Sequence, residues 1–285
     1  MPEGDSIFRA ARTLHRALAG HAVERFESVL PALTRVHEDT PISGRVVESV
    51  TAAGKHILMR FSGDLVLRTH MRMNGSWHIY KRAGTDAAAR FEPWRRPRRD
   101  MRVVIATHDF EAVAFSVPVA EFLDRRALQR QPDLKQIGPD LLGETFDGDE
   151  AIRRFRARGT MSIADALINQ RVVAGAGNVF KSELLFLCGI DPFASVAAVS
   201  DDELRALLSA GQKYLKANVH DSKGTIVTYT GFRRTTSRMD PSERLYVYGR
   251  ARKPCRKCGT PIRVTPQGPD ARLTYWCPSC QRARS

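Results

Sequence analysis

The sequence predicts a two-domain α+β protein. A strand-rich N-terminal domain is followed by a helical domain that ends in a small metal-binding module. Three observations carry this. Short strand-like runs punctuated by glycine follow a single helix in the first 125 residues; helical spacing takes over from residue 148; and two Cys-x-x-Cys pairs lie in the last thirty-one residues. A chain of 285 residues with 42% apolar content has enough material for two separate cores.

Along residues 1–125, "SIFRAARTLHRALAG" sets Ile7, Ala10, Ala11, Leu14 and Leu18 on one helical face, and Gly20 ends the helix. The runs "HILMRFSG", "LVLRTHM", "MRVVIAT" and "EAVAFSV" read as strands, with Gly54, Gly63 and Gly75 as turn positions. Several short strands of this kind make a sandwich or a barrel. The stretch "KRAGTDAAARFEPWRRPRRD" is polar, basic and proline-bearing, and reads as a loop. Residues 126–147 have poor periodicity and carry Pro132, Gly138, Pro139 and Gly143, which marks a linker or hinge.

Residues 148–222 read as four helices. "DEAIRRFRARG" is the first. "SIADALINQRVV" is the second, with Ser162 as N-cap. "NVFKSELLFLCG" is the third, stopped by Gly189; "SDDELRALLSAGQKYLKANVH" is the fourth, opened by a Ser200/Glu203 capping box. A mobile basic loop is expected over 223–244 and a zinc finger over 245–285. Between Lys223 and Arg263 there are eleven Lys and Arg against two acids.

Forty-five Lys and Arg against thirty-one Asp and Glu give a net charge of +14, a surface that attracts polyanions. No apolar run has the length of a membrane span and no leader is evident, so a cytoplasmic, nucleoid-associated protein is expected.

Cys255, Cys258, Cys277 and Cys280 offer four thiolates as two Cys-x-x-Cys grips separated by eighteen residues, room for a two-stranded hairpin. That set fits one structural Zn2+. A module this small has no apolar core of its own, so the ion supplies its stability. Cys188, at the apolar end of the third helix, reads as a structural thiol. In "QRVVAGAGNVFKSELLF", Gly175 and Gly177 permit a tight turn and close backbone approach to a ligand. The amides of the next helix can hold a phosphate, and Asn178 can cap that helix or bind the same phosphate. A plain helix–turn–helix connection is the alternative.

Four motifs, in order and spread over nearly the whole chain, resemble the formamidopyrimidine-DNA glycosylase/endonuclease VIII family. They are "PEG" at 2–4, "GKHIL" at 54–58, "QRVVAGAGNVFKSELLF" at 170–186 and the terminal finger through "RLTYWCPSCQ". Gly4 and the "YWCPSCQ" ending lean toward the endonuclease VIII branch. The resemblance implies an N-terminal β-sandwich with a flanking helix and a C-terminal helix-two-turn-helix domain with a zinc finger. It also implies a bifunctional DNA glycosylase/AP lyase acting on duplex DNA with oxidised bases, pyrimidines first, or abasic sites. Action as a monomer is expected.

On this resemblance Pro2, freed of Met1, supplies the secondary amine that attacks C1′ of the damaged nucleotide. A Schiff base forms, the base leaves, and β or β,δ elimination cuts the strand. An α-amino group needs only a modest push to be neutral near pH 7. Glu3 transfers protons, and Lys55 contacts the phosphate beside the lesion. Asn178 and Arg272 form a phosphate clamp. Arg72, Met73 and Asn74, in "HMRMNG", enter the gap left by the extruded base, with Met73 as apolar wedge; a core methionine is the alternative for Met73. Two departures stand out: Asp5 and Ser6 replace the family's usual proline and glutamate, and residues 229–243 match the family's lesion-covering loop poorly. No base-reading residue stands out there, and Arg233, Arg234 and Arg238 can equally be simple phosphate contacts. The competing reading is a non-catalytic zinc protein that binds damaged DNA; a purine preference within the same enzyme class is a further alternative.

Overall fold

The computed structural model describes residues 3–83, 90–220, 233–238 and 240–283. The chain forms two compact units. One holds Ser6–Lys135. The other holds residues 136–220 and the described residues from Arg233 on, and also takes the tripeptide Glu3–Asp5. Pro2 and residues 221–232, which include the first ten residues of the expected basic loop, lie outside the described residues.

In chain order the first unit's elements are α1 (Gly4–Leu18), β1 (Arg25–Ser28), α2 (Pro31–Asp39), β2 (Val47–Ala53), β3 (His56–Phe61), β4 (Leu65–His70), β5 (Ser76–Ala83), β6 (Arg90–Phe91), β7 (Met101–Ala106), β8 (Phe110–Phe115), β9 (Val119–Asp124), α3 (Arg125–Arg130) and α4 (Pro132–Lys135). The strands make two antiparallel sheets, in the orders β1-β7-β8-β5-β6 and β2-β3-β4-β9. Both contribute to one core. Val50, Ile57, Met59, Phe61 and Leu67 from the second sheet meet Phe26, Trp77, Ile79, Val103 and Ile105 from the first, so the unit is a sandwich. The α1 stripe joins that core, since Ile7, Ala10, Ala11, Leu14 and Leu18 are all buried. Gly20, at φ +83°, turns the chain away after α1.

Three features differ from the sequence reading. Helix α2 was not expected; it opens with Pro31 at its first turn and has no side-chain cap, leaving little signal beyond that proline. Strand β5 runs into the stretch read as a loop, and β6 pairs with it. The start of the expected linker is helical: Asp124 caps α3 by accepting from the Ala127 amide at 2.6 Å.

The second unit contains α5 (Gly148–Arg156), α6 (Ile163–Ile168), α7 (Asn178–Leu187), α8 (Asp201–His220) and the hairpin β10 (Arg263–Gln267)–β11 (Arg272–Trp276). Ser162 caps α6 as expected, but α6 ends at Ile168 and the chain then turns. The Ser200/Glu203 box is formed: the Glu203 amide donates to Ser200 Oγ at 3.2 Å, and the Ser200 amide to Glu203 Oε2 at 2.9 Å. Cys188 is half-buried at the end of α7, where burial pushes its thiol pKa up.

Glu183, fully buried in α7, organises the approach to the finger. Its carboxylate accepts from the amides of Tyr246, Val247 and Tyr248, each at 2.8 Å, and from Thr235 Oγ1. Burial pushes its pKa up, and these four donors oppose that.

Candidate active site and metal centre

The loop between α6 and α7 receives the N-terminal tripeptide. The Gly4 amide donates to Gly175 O at 2.9 Å. Glu3 is fully buried; its Oε1 accepts from the Val179 amide at 2.8 Å and its Oε2 from the Phe180 amide at 3.4 Å. Those amides belong to the first turn of α7, whose unpaired N–H groups and dipole favour an anion. The sequence reading gave this position to a phosphate; the structure gives it to the chain's own carboxylate. The glycines are explained by the same contact. Gly175 sits at φ +103°, and a Cβ at Gly177 would overlap Cγ and Cδ of Glu3. Gln170 braces the loop, donating to Ala176 O at 3.2 Å and accepting from the Gly175 amide at 3.4 Å.

Asn178 does not cap α7, because Gly177 occupies the cap position. Instead its Nδ2 donates to Leu273 O at 2.9 Å, which sets it beside the residue that follows Arg272 on β11. Arg272 is partly exposed and bonds Asp270 through Nε and Nη2 at 3.1 and 2.9 Å. Lys181, which the sequence reading passed over, is buried in the same region. Its Nζ donates to Thr274 Oγ1 at 2.8 Å, and Thr274 Oγ1 donates to Gln267 Oε1 at 2.7 Å. Burial first, and Arg272 after it, lower the Lys181 pKa to about 8, while Asp165 and Glu3 oppose them. A lysine set between Phe180 and the apolar run 184–187 was the available signal.

In the first unit, Lys55 occupies the β2–β3 turn, next to Gly54 at φ +57°. His56 and His70 pair edge to face at 4.7 Å behind it. Burial, then His70 and Arg68, lower the His56 pKa to about 3; burial and Lys55 lower that of His70. Arg72, Met73 and Asn74 form an exposed tip after β4, with Met73 63% exposed and Arg72 at φ +45°. The core methionine here is Met71, two residues earlier, so the alternative reading of Met73 as core does not hold. The tip closes through the Gly75 amide on Met71 O at 2.9 Å, and a Cβ at Gly75 would sit 2.6 Å from that oxygen.

The four cysteines converge, with all Sγ atoms within 4.8 Å of one another. The separations are 3.9 Å for Cys255–Cys280, 3.4 Å for Cys258–Cys277 and 3.5 Å for Cys258–Cys280. Tetrahedral zinc with bonds of about 2.3 Å requires edges of about 3.8 Å, so the donor set fits one structural Zn2+. Cys255 and Cys277 pack with Phe186, Val247 and Ile262, which ties the metal module to α7. Gln281 adds a polar tie, accepting from the Cys277 amide at 3.0 Å and donating to Ile190 O at 2.9 Å.

Residues 1–131 match the family described as formamidopyrimidine-DNA glycosylase N-terminal domain, and residues 137–230 match the formamidopyrimidine-DNA glycosylase H2TH domain. A probable endonuclease 8 2 from Streptomyces coelicolor is 39% identical, with 99% of this chain aligned to 94% of that protein. The chain belongs to the formamidopyrimidine-DNA glycosylase/endonuclease VIII family. A DNA-(apurinic or apyrimidinic site) lyase from Mycolicibacterium smegmatis is 35% identical, over 99% of this chain and 100% of that one. A Lactococcus lactis Fpg solved with abasic-site DNA shares the fold at a TM-score of 0.77 and 22% identity, covering 99% of this chain and 100% of that one. Helices α5 to α8 lie within the matched H2TH domain, and the cysteine module is the family's zinc finger. No helix among the described residues is long and apolar enough to cross a membrane.

Proposed function

We propose that the protein is a bifunctional DNA glycosylase and AP lyase that removes oxidised bases, pyrimidines first, from duplex DNA. The observation that carries this is Glu3 itself. An ordinary N-terminal glutamate is solvated and frayed. This one is fully buried on the first turn of α7, one residue after a proline.

The chemistry proposed is that of the family. Once Met1 is removed, the neutral imino nitrogen of Pro2 attacks C1′ of the flipped nucleotide as the glycosidic bond breaks. Glu3 moves protons to and from the sugar ring oxygen as the iminium forms. Loss of a C2′ proton then expels the 3′ phosphate, which cuts the strand. Zinc takes no chemical part; it orders the hairpin that carries Arg272. Lys55, Asn178 and Arg272 bind phosphates around the lesion. Arg72, Met73 and Asn74 fill the vacated stack. The net charge of +14 draws the protein to the nucleoid, where its substrate lies. Relatives named endonuclease 8 support the endonuclease VIII branch, and the pyrimidine preference is the reading that goes with that branch.

The test is single-turnover incision of duplexes carrying one oxidised pyrimidine, one oxidised purine or one abasic site. Incision at the pyrimidine and abasic sites is expected, with loss of both in Glu3→Gln. Binding to all three without incision by the wild-type protein supports the non-catalytic reading instead.

A further inference from the structure

Two carboxylates in the N-terminal tripeptide, Glu3 and Asp5, are fully buried, and one buried guanidinium faces both. Arg233 forks onto Asp5. Its Nε lies 3.0 and 2.9 Å from Oδ1 and Oδ2, and its Nη2 lies 2.8 Å from Oδ1. Its Nη1 stands 4.0 Å from Glu3 Oε1. The guanidinium also lies 5.8 Å from the centre of the Phe180 ring, and the Phe180 amide is one of the two that hold Glu3. The sequence reading made Arg233 a phosphate contact; its burial against Asp5 removes it from that surface role.

Arg233 is fixed from behind as well. The Arg234 amide donates to Asn218 Oδ1 at 2.8 Å, and Asn218 Nδ2 donates back to Arg234 O at 2.8 Å, which pins this segment to α8. Thr235 is bonded to Glu183. Burial disfavours the Arg233 charge, but Glu3 and Asp5 outweigh it and hold its pKa above the ordinary value.

We infer that Arg233, aimed by Asp5, is a positioning residue that sets the orientation and electrostatic environment of Glu3. Asp5 takes the bidentate fork, so Glu3 receives the cation at the longer distance. A guanidinium forked onto Glu3 would tie up the oxygens needed for proton transfer; with Arg233 replaced, Glu3 would lose the cation that stands 4.0 Å from its Oε1. Asp5, one of the residues that depart from the usual family pattern, therefore has a defined task.

The inference rests on the proposed role of Glu3, and the experiment separates the two. Single-turnover borohydride trapping on a preformed abasic-site duplex is measured for wild type, Glu3→Gln, Arg233→Gln, Arg233→Lys, Asp5→Asn and the Asp5→Asn/Arg233→Gln double variant. Affinity for the same duplex is measured by anisotropy, and folding by thermal melting. Misplacing a reacting group by about 1 Å costs about 10²-fold. Arg233→Gln is expected to trap about 10–100-fold more slowly on that basis, with affinity within about threefold of wild type. Arg233→Lys recovers part of the rate, because the charge returns without the fork. The double variant loses less than the product of the two single losses. Wild-type trapping in Arg233→Gln while Glu3→Gln is inactive overturns the inference alone. A rate loss matched by an equal affinity loss also overturns it, since that is a phosphate contact. If Arg233→Gln melts below the assay temperature, Arg233→Lys and Asp5→Asn decide: wild-type rates in both overturn the inference. Wild-type trapping in Glu3→Gln overturns the underlying reading of Glu3.

Discussion

Gly177 is a glycine because Glu3 fills the space its side chain would need. A Cβ there would overlap the Glu3 Cγ and Cδ atoms, while the Val179 amide, two residues on, donates to Glu3 Oε1 at 2.8 Å. Gly177→Ala must therefore displace Glu3 from the first turn of α7. Overpacking of this kind costs about 1–3 kcal/mol of stability, and a displaced proton-transfer group costs about tenfold or more in rate. The variant is expected to fold, to bind an abasic-site duplex, and to form the trapped adduct slowly. Comparing its melting temperature with its trapping rate checks this; a full trapping rate contradicts the contact.

The zinc finger supplies a second prediction. Cys258→Ser removes one of four converging thiolates. Such a module is unfolded without its ion, so the Arg272 hairpin loses its shape. Elemental analysis is expected to find one zinc per wild-type chain and none in the variant, with duplex affinity lost alongside. Zinc-free protein that still binds duplex at wild-type affinity contradicts the account.

Met73 should act as a wedge. It is exposed, and Met71 already serves the core beside it. Met73→Ala is expected to slow excision of a stacked, paired lesion by about tenfold, since unstacking costs a few kcal/mol. Cleavage at a single-stranded abasic site should change little. The ratio of the two rates measures the effect, and equal slowing of both contradicts it.

Acid should destabilise the sandwich unit through its buried histidines. Burial lowers the His56 pKa from 6.5 to about 3 and that of His78 from 6.5 to about 4. In the unfolded chain both protonate near pH 6.5. The unfolded state therefore binds more protons below that pH, and stability falls as pH falls. The contribution is complete above pH 6.5 and is lost between there and about pH 3 to 4. Each such histidine contributes a slope of about 1.4 kcal/mol per pH unit within the window. Denaturant unfolding across it should show this slope, and His56→Gln should remove one histidine's share. An unchanged slope in the variant contradicts the assignment to His56.

Much of this was legible because local chemistry declared it. Each Cys-x-x-Cys pair, the Ser200/Glu203 box and the α1 stripe are written in short contiguous stretches of the chain. The α6–α7 glycines were legible as a close-approach loop, but their occupant was not. Glu3 lies 176 positions from the amide it meets, and nothing in "AGAGN" distinguishes a carboxylate from a phosphate. The Asp5–Arg233 pair spans 228 positions, and each member alone reads as a surface charge. Glu183 and Lys181 carry no local signal for the same reason: a buried charge on a helix is explained only by partners distant in sequence.

The central claim is a bond between Pro2 and a sugar carbon, and peptide mapping of the borohydride-trapped adduct tests it most directly. The wild-type protein, trapped on an abasic-site duplex and digested, is predicted to carry the deoxyribose remnant on an N-terminal peptide that begins with Pro2 and lacks Met1. Adduct on an internal lysine, or on a peptide that still carries Met1, contradicts it.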